Sequence, residues 1–181
     1  RFFDPATRRY DTASQTACAM PLALGLVEDQ HRAFVLQTLV DDIRAHGDHF
    51  TAGDIGLRYV LLALAEAGRS DVIADVVTRT DPPSYGAQLE RGATTLTEAW
   101  DADPNSSQNH FMLGHVDEWF HERLAGIRVD FTRGASAPLT IAPTFVAQVA
   151  WVEATRDTPL GLVSVRWERD HSRVVLRASL P

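Results

Sequence analysis

The sequence predicts a mainly α chain that ends in a small antiparallel β unit. Three observations carry this. Apolar residues recur at helical spacing through the first two-thirds of the 181 residues. Each such run stops at a glycine or at a Pro-Pro pair. After Ile127 the period changes from helical spacing to alternation.

Leu36, Leu39, Val40 and Ile43 form the first helical stripe, and Gly47 follows as its stop. Leu57, Val60, Leu61 and Leu64 repeat the pattern up to Gly68. Val72, Ile73, Val76 and Val77 predict a shorter helix ended before Pro82-Pro83. Met112, Val116, Trp119 and Phe120 line another, which ends at Gly126 and takes Asn105, Ser106 and Ser107 as N-cap candidates. Trp119 and Phe120 lie on its stripe and read as core. Paired helices joined by short turns suit an array of helical hairpins. Beyond them, Leu139 and Ile141 alternate before Pro143. The runs Val149-Trp151-Glu153-Thr155, Val163-Val165-Trp167 and Val174-Leu176-Ala178 predict strands, with turns at Asp157-Thr158-Pro159 and Asp170-His171-Ser172. The boundary between the two parts falls near residues 127 to 137.

Composition narrows the function classes. A net charge of −7 without a basic block argues against nucleic acid or an anionic membrane surface as partner. The longest apolar stretch, Ala17 to Val27, is about half a membrane span and contains Pro21. The single Cys18 excludes an internal disulfide, so the fold does not depend on an oxidising compartment, and nothing decides between cytoplasm and secretion. His46 and His49 are close in sequence, but no Cys or acidic cluster completes a metal set. There is no Gly-x-Gly-x-x-Gly, phosphate loop or nucleophile elbow, so no cofactor is expected.

The segment Gln88 to His110 holds the chemistry. It gathers carboxylates, an indole, amides and an imidazole in 23 positions, most of them outside any long helical pattern. Sugar-processing sites use these groups. A carboxylate activates water or protonates an oxygen, amides and imidazole bond hydroxyls, and an indole stacks on the apolar side of a pyranose.

Gly92-Ala93-Thr94-Thr95-Leu96-Thr97-Glu98-Ala99-Trp100 resembles the Gly-Ala-Thr-Thr-x-x-Glu-x-Trp motif of bacterial α-L-rhamnosidases, the inverting enzymes of glycoside hydrolase family 78. Ser14-Gln15-Thr16-Ala17 with Pro21 to Val27 resembles the start of a barrel helix in that family. Gly47 to Gly56 is similar to its Gly-Asn-His-Leu-Thr-x-Gly loop. Glu118-Trp119-Phe120 with Leu124 to Ile127 resembles the end of its last barrel helix. The likeness runs from about Arg1 to Ile127 and continues more weakly to Pro181. Thr97 and Tyr85 depart from it, standing where many members have Trp.

The resemblance implies that residues 1–127 are the second half of an (α/α)6 barrel and residues 128–181 a C-terminal β-sandwich domain. It implies hydrolysis of terminal α-L-rhamnosides with inversion, on a rhamnose-containing oligosaccharide, polysaccharide or glycoside. Glu98 is then the general base. The general acid belongs to the remainder of the barrel upstream of Arg1, since no segment like the family's acid motif occurs in the chain. On this expectation the chain is a C-terminal piece, inactive and prone to self-association when alone.

Each residue keeps a plainer alternative. Glu98 is otherwise a solvated residue near a helix start. His110 either bonds a rhamnose hydroxyl, as the matching family residue does, or is a helix-start histidine held by backbone. Trp100 and Tyr85 are pocket walls or core aromatics. His49 lines the same cavity or braces its loop. Gln15 points into the cavity or into the core, and Glu90 reads as a decoy carboxylate. Two other functions also stay open: an (α/α)6 glycosidase acting on a different sugar, and a non-catalytic carbohydrate-binding or interaction module.

Overall fold

The structure, a computed structural model, describes residues 2–130, 132 and 139–181. They form two compact units, one ending at Val116 and the other starting at Asp117. The first unit opens with a hairpin of β1 (Phe3–Asp4) and β2 (Arg9–Tyr10), too short to show as alternation in the sequence.

Five helices follow: α1 (Gln15–Ala23), α2 (Asp29–Ala45), α3 (Asp54–Glu66), α4 (Ser70–Val77) and α5 (Tyr85–Glu90). Ser14 caps α1 by accepting the N–H of Ala17 at 3.3 Å. The expected stripes face inward: Leu39, Val40 and Ile43 of α2, Leu57, Val60, Leu61 and Leu64 of α3, and Val72, Ile73 and Val76 of α4 are buried. α1 packs on α2 and α3, and α3 on α4. The α1–α3 crossing is close because residue 56 is glycine. A Cβ there would run into the Thr16 hydroxyl, and would sit 3.1 Å from the Thr16 Cβ and Cγ2. Arg44 bonds both Asp48 and Asp75 at 2.6 Å, tying the end of α2 to α4.

Two expectations about the last helical segment need correcting. The first concerns the last helix, which starts later than Asn105–Ser107. The Asp103 carboxylate takes the N–H groups of Asn105 and Ser106, at 2.8 and 3.0 Å, and makes a turn of them instead. Phe111, without a side-chain cap, precedes a 3-10 turn over Met112–His115. A single α turn, α6 (Val116–Trp119), and a π turn, Phe120–Leu124, complete the segment. The second concerns its stripe: Trp119 is buried as expected, but Phe120 is part-exposed.

In the second unit β3 (Ile127–Val129) pairs antiparallel with β4 (Leu139–Ile141). The strands β5 (Trp151–Thr158), β6 (Gly161–Asp170) and β7 (Arg173–Ser179) form an antiparallel meander with β6 in the middle. Val149 stands outside β5, which instead runs on through Thr158. Part of the expected boundary segment, residues 131 and 133–138, lies outside the described residues. Val163, Val165 and Trp167 of β6 face the core. The Trp167 indole N–H donates to the Leu124 carbonyl at 2.8 Å, and Phe145 packs edge-on against its ring. One nitrogen of Arg169 donates to the carbonyls of Val146, Ala147 and Val149, holding the chain that leads into β5. No helix among the described residues is long and apolar enough to cross a membrane.

Candidate active site

The carboxylate motif begins where α5 ends. Gly92 takes φ +83°, a left-handed value that suits glycine, and its N–H returns to the Leu89 carbonyl at 2.9 Å. Ala93 N–H donates to the Gln88 carbonyl at 3.1 Å, which turns the chain into the motif. From there to Phe111 there is neither helix nor strand. Two backbone bonds clasp the loop: His110 N–H to Leu96 O at 2.8 Å, and Glu98 N–H to Ser107 O at 3.1 Å. The Thr95 hydroxyl donates to the Gln108 carbonyl on the same side.

Thr97 is the inward-facing residue of this clasp. It is buried, its N–H reaches the Gln88 side-chain oxygen at 3.3 Å, and its hydroxyl donates to Ala99 O at 2.8 Å. Glu98, one residue on, is exposed. Its carboxylate has no hydrogen-bond or ion-pair partner among the described residues. It is therefore accessible to water.

Trp100 and Tyr85 meet. Their rings lie 5.0 Å apart at 76°, edge to face. The Trp100 indole N–H donates to Ala52 O at 2.9 Å, and the Tyr85 hydroxyl donates to Leu113 O at 2.6 Å. Burial pushes the Tyr85 phenol above its ordinary range, so it stays a donor at neutral pH. Both rings are half-buried, with their polar ends committed to backbone.

His49 is buried, and both of its ring nitrogens approach backbone carbonyls: Nδ1 that of His46 at 2.9 Å and Nε2 that of Asp81 at 3.2 Å. The geometry is that of the bracing alternative. Gln15 behaves similarly. Its side chain is fully buried, donates to His49 O at 3.1 Å and accepts Thr51 N–H at 2.9 Å, so it does not face a cavity. The loop that these two residues hold supplies Ala52, the partner of Trp100.

His110 is half-buried, and its ring lies parallel to that of Phe111, 6.0 Å away at 7°. The ring nitrogens have no hydrogen-bond partner among the described residues. Glu90 is exposed on α5. Among the described residues no cluster of His, Cys, Asp or Glu is arranged to hold a metal. The structure thus pairs Tyr85 with Trp100, and puts Glu98 and His110 on the two sides of one clasp.

Gln88 was not singled out by sequence reasoning. It is buried, supports Thr97, and leaves its own amide nitrogen without a partner. A polar residue in a six-residue helix that shows no stripe gives no signal of this.

One segment thus carries an exposed carboxylate, an imidazole and an indole, the last against the Tyr85 ring. The family model described as the bacterial alpha-L-rhamnosidase 6 hairpin glycosidase domain matches residues 1–124, and that of the bacterial alpha-L-rhamnosidase C-terminal domain matches residues 137–181. The chain belongs to this α-L-rhamnosidase family. It is 30% identical over 177 residues to an alpha-L-rhamnosidase of Streptomyces avermitilis, covering 93% of the chain and 17% of that protein. It is 27% identical over 189 residues to one of Formosa agariphila, covering 99% and 20%. Among solved structures, the alpha-L-rhamnosidase from Dictyoglumus thermophilum superposes with a TM-score of 0.82 at 32% identity, covering 93% of this chain and 19% of that one. The Streptomyces avermitilis enzyme, solved in complex with L-rhamnose, gives 0.88 at 28% identity, covering 99% and 18%. The chain spans 17% to 20% of the length of these curated relatives.

Proposed function

We propose that the chain is the part of an inverting α-L-rhamnosidase that carries its general base. In this reading residues 1–127 contribute half of an (α/α)6 barrel, and residues 128–181 a β-sandwich domain. The substrate is a terminal α-L-rhamnoside, whose sugar unit, L-rhamnose, is bound in the Streptomyces avermitilis relative. Glu98 takes a proton from the water that attacks the anomeric carbon. The general acid is a second carboxyl group outside residues 1–181, placed about 6.5–9.5 Å away to leave room for that water. His110 offers its unpartnered ring to a sugar hydroxyl, and Trp100 and Tyr85 wall the pocket. His49 belongs to the same pocket through the loop it braces.

One observation carries the assignment. Glu98 is exposed and has no partner among the described residues, while the backbone around it is fastened. A general base needs this combination of fixed position and free lone pairs. The test is Glu98→Gln in the active protein, assayed on an aryl rhamnoside. A fall in kcat of about 10³-fold with KM nearly unchanged is expected. Activity within tenfold of the parent removes Glu98 from the role. Following the anomer first released, by NMR, tests inversion separately.

A further inference from the structure

The short helix α5 is fixed in place. Ser84 caps it by accepting the Ala87 N–H at 3.0 Å. At its second residue, Gly86, a Cβ would sit 2.4 Å from the Arg79 carbonyl oxygen and 2.9 Å from the Thr80 Cα, so the helix rests directly on the preceding backbone. Gln88 stands on this helix and reaches the carboxylate segment at two points. Its backbone carbonyl accepts the Ala93 N–H at 3.1 Å, and its side-chain oxygen accepts the Thr97 N–H at 3.3 Å.

Thr97 carries the constraint to Glu98. Its hydroxyl donates to Ala99 O at 2.8 Å, a bond that spans Glu98, while Ser107 O takes the Glu98 N–H at 3.1 Å. The peptide groups on both sides of Glu98 are thus held, and they set the direction of its Cα–Cβ bond. Thr97 is buried and Glu98 exposed, so the inward turn of one goes with the outward turn of the other.

Gln88 is a costly residue for stability. It is 5% exposed, and its amide nitrogen is closed off from solvent without a partner among the described residues. Turning the amide over is no cure, because the Thr97 N–H needs an acceptor. A buried donor left unsatisfied costs at least as much as one neutral hydrogen bond contributes. An apolar side chain of similar volume would avoid that cost. It would also orphan the Thr97 N–H, and a loop that turned this group toward water would rotate Glu98 with it.

We infer that Gln88 is a positioning residue for Glu98, acting through Thr97. It fixes where the carboxylate points and does not touch the sugar. The inference rests on the role proposed above for Glu98.

The experiment is a double-mutant cycle in the active protein on an aryl rhamnoside, with Gln88→Met, Glu98→Gln and the two together. Gln88→Met should lower kcat on the order of 10²-fold, the effect of an ångström-scale misplacement, with KM and melting temperature nearly unchanged. Once the carboxylate is gone Gln88 has nothing to position, so the double variant should be as slow as Glu98→Gln alone. Thr97→Val, which keeps the Gln88 bond but loses the hydroxyl bridge over Glu98, should also lower kcat at constant KM. Additive losses in the double variant overturn the proposal, as does a Gln88→Met protein that melts far lower or fails to fold, since Gln88 is then a structural residue. A slow Glu98→Gln beside a fully active Gln88→Met removes the positioning role and keeps the catalytic one. Full activity of Glu98→Gln removes both.

Discussion

Two loops of the first unit both fasten irregular backbone with side chains, and differ in which polar side chains are left unused. Between α2 and α3, the backbone at residues 46 to 51 is held by side chains: Gln15 fastens His49 and Thr51, and the His49 ring approaches the carbonyls of His46 and Asp81. Between α5 and Phe111, the backbone bonds of Leu96 with His110 and Glu98 with Ser107 are joined by the side chains of Thr95, Thr97, Asp103 and Gln108. In the first loop the polar side chains are consumed by structure. In the second, Glu98 and His110 are left over. The first loop meets the second through the Ala52–Trp100 bond.

Substitutions separate the two kinds of residue. The largest effect should come from Glu98→Gln, which removes about 4 kcal/mol of transition-state stabilisation if activity falls 10³-fold, while the melting temperature barely moves. A matching drop in stability would place Glu98 with the consumed residues. Next is Gln15→Leu, which keeps the volume but strips partners from Thr51 N–H and His49 O. A loss of about 2–4 kcal/mol in urea unfolding is expected. A change under about 0.5 kcal/mol would mean that water replaces the amide and that the loop is not side-chain-held.

His110→Ala should weaken free L-rhamnose binding about tenfold by calorimetry, the worth of roughly one hydrogen bond, without unfolding the protein. Unchanged affinity returns His110 to a structural role. The smallest effect concerns Cys18. Burial first, and then the nearby Asp42 charge, push its thiol up to about 11. The thiolate is the reactive form, and it stays scarce in the folded protein until the pH approaches that value. Alkylation at pH 8 should be slow in buffer and fast in urea. Equal rates would show α1 opening readily.

What the sequence disclosed follows the same division. The stripes of α2, α3 and α4 were legible because burial repeats at helical spacing, and β5 and β6 because covered residues alternate with exposed ones, whereas β7 is exposed throughout. α5 was hidden: six residues give too few turns for a stripe, and Gly86 argues against a helix. The Asn105–Ser107 reading failed because a cap and a turn use the same residues, and Asp103 decided for the turn. At the site, the motif marked out the segment around Glu98, in which Gly92 has a local reason to be there in its left-handed φ. Gln15, Gln88 and the bracing geometry of His49 could not be read in this way, because each depends on a partner brought close only by folding, 34 residues away for the Gln15–His49 bond.

The α1–α3 contact sets a limit on mutational tolerance. A Cβ at position 56 meets not only the movable hydroxyl of Thr16 but also its Cβ, which cannot swing aside. In a saturation library position 56 should therefore be almost silent, with even alanine depleted. Gly92, where a Cβ would meet nothing within 4 Å, should admit asparagine. The pair Gly56 and Thr16 would then drift together: a smaller residue at 16 is the change that could license a side chain at 56.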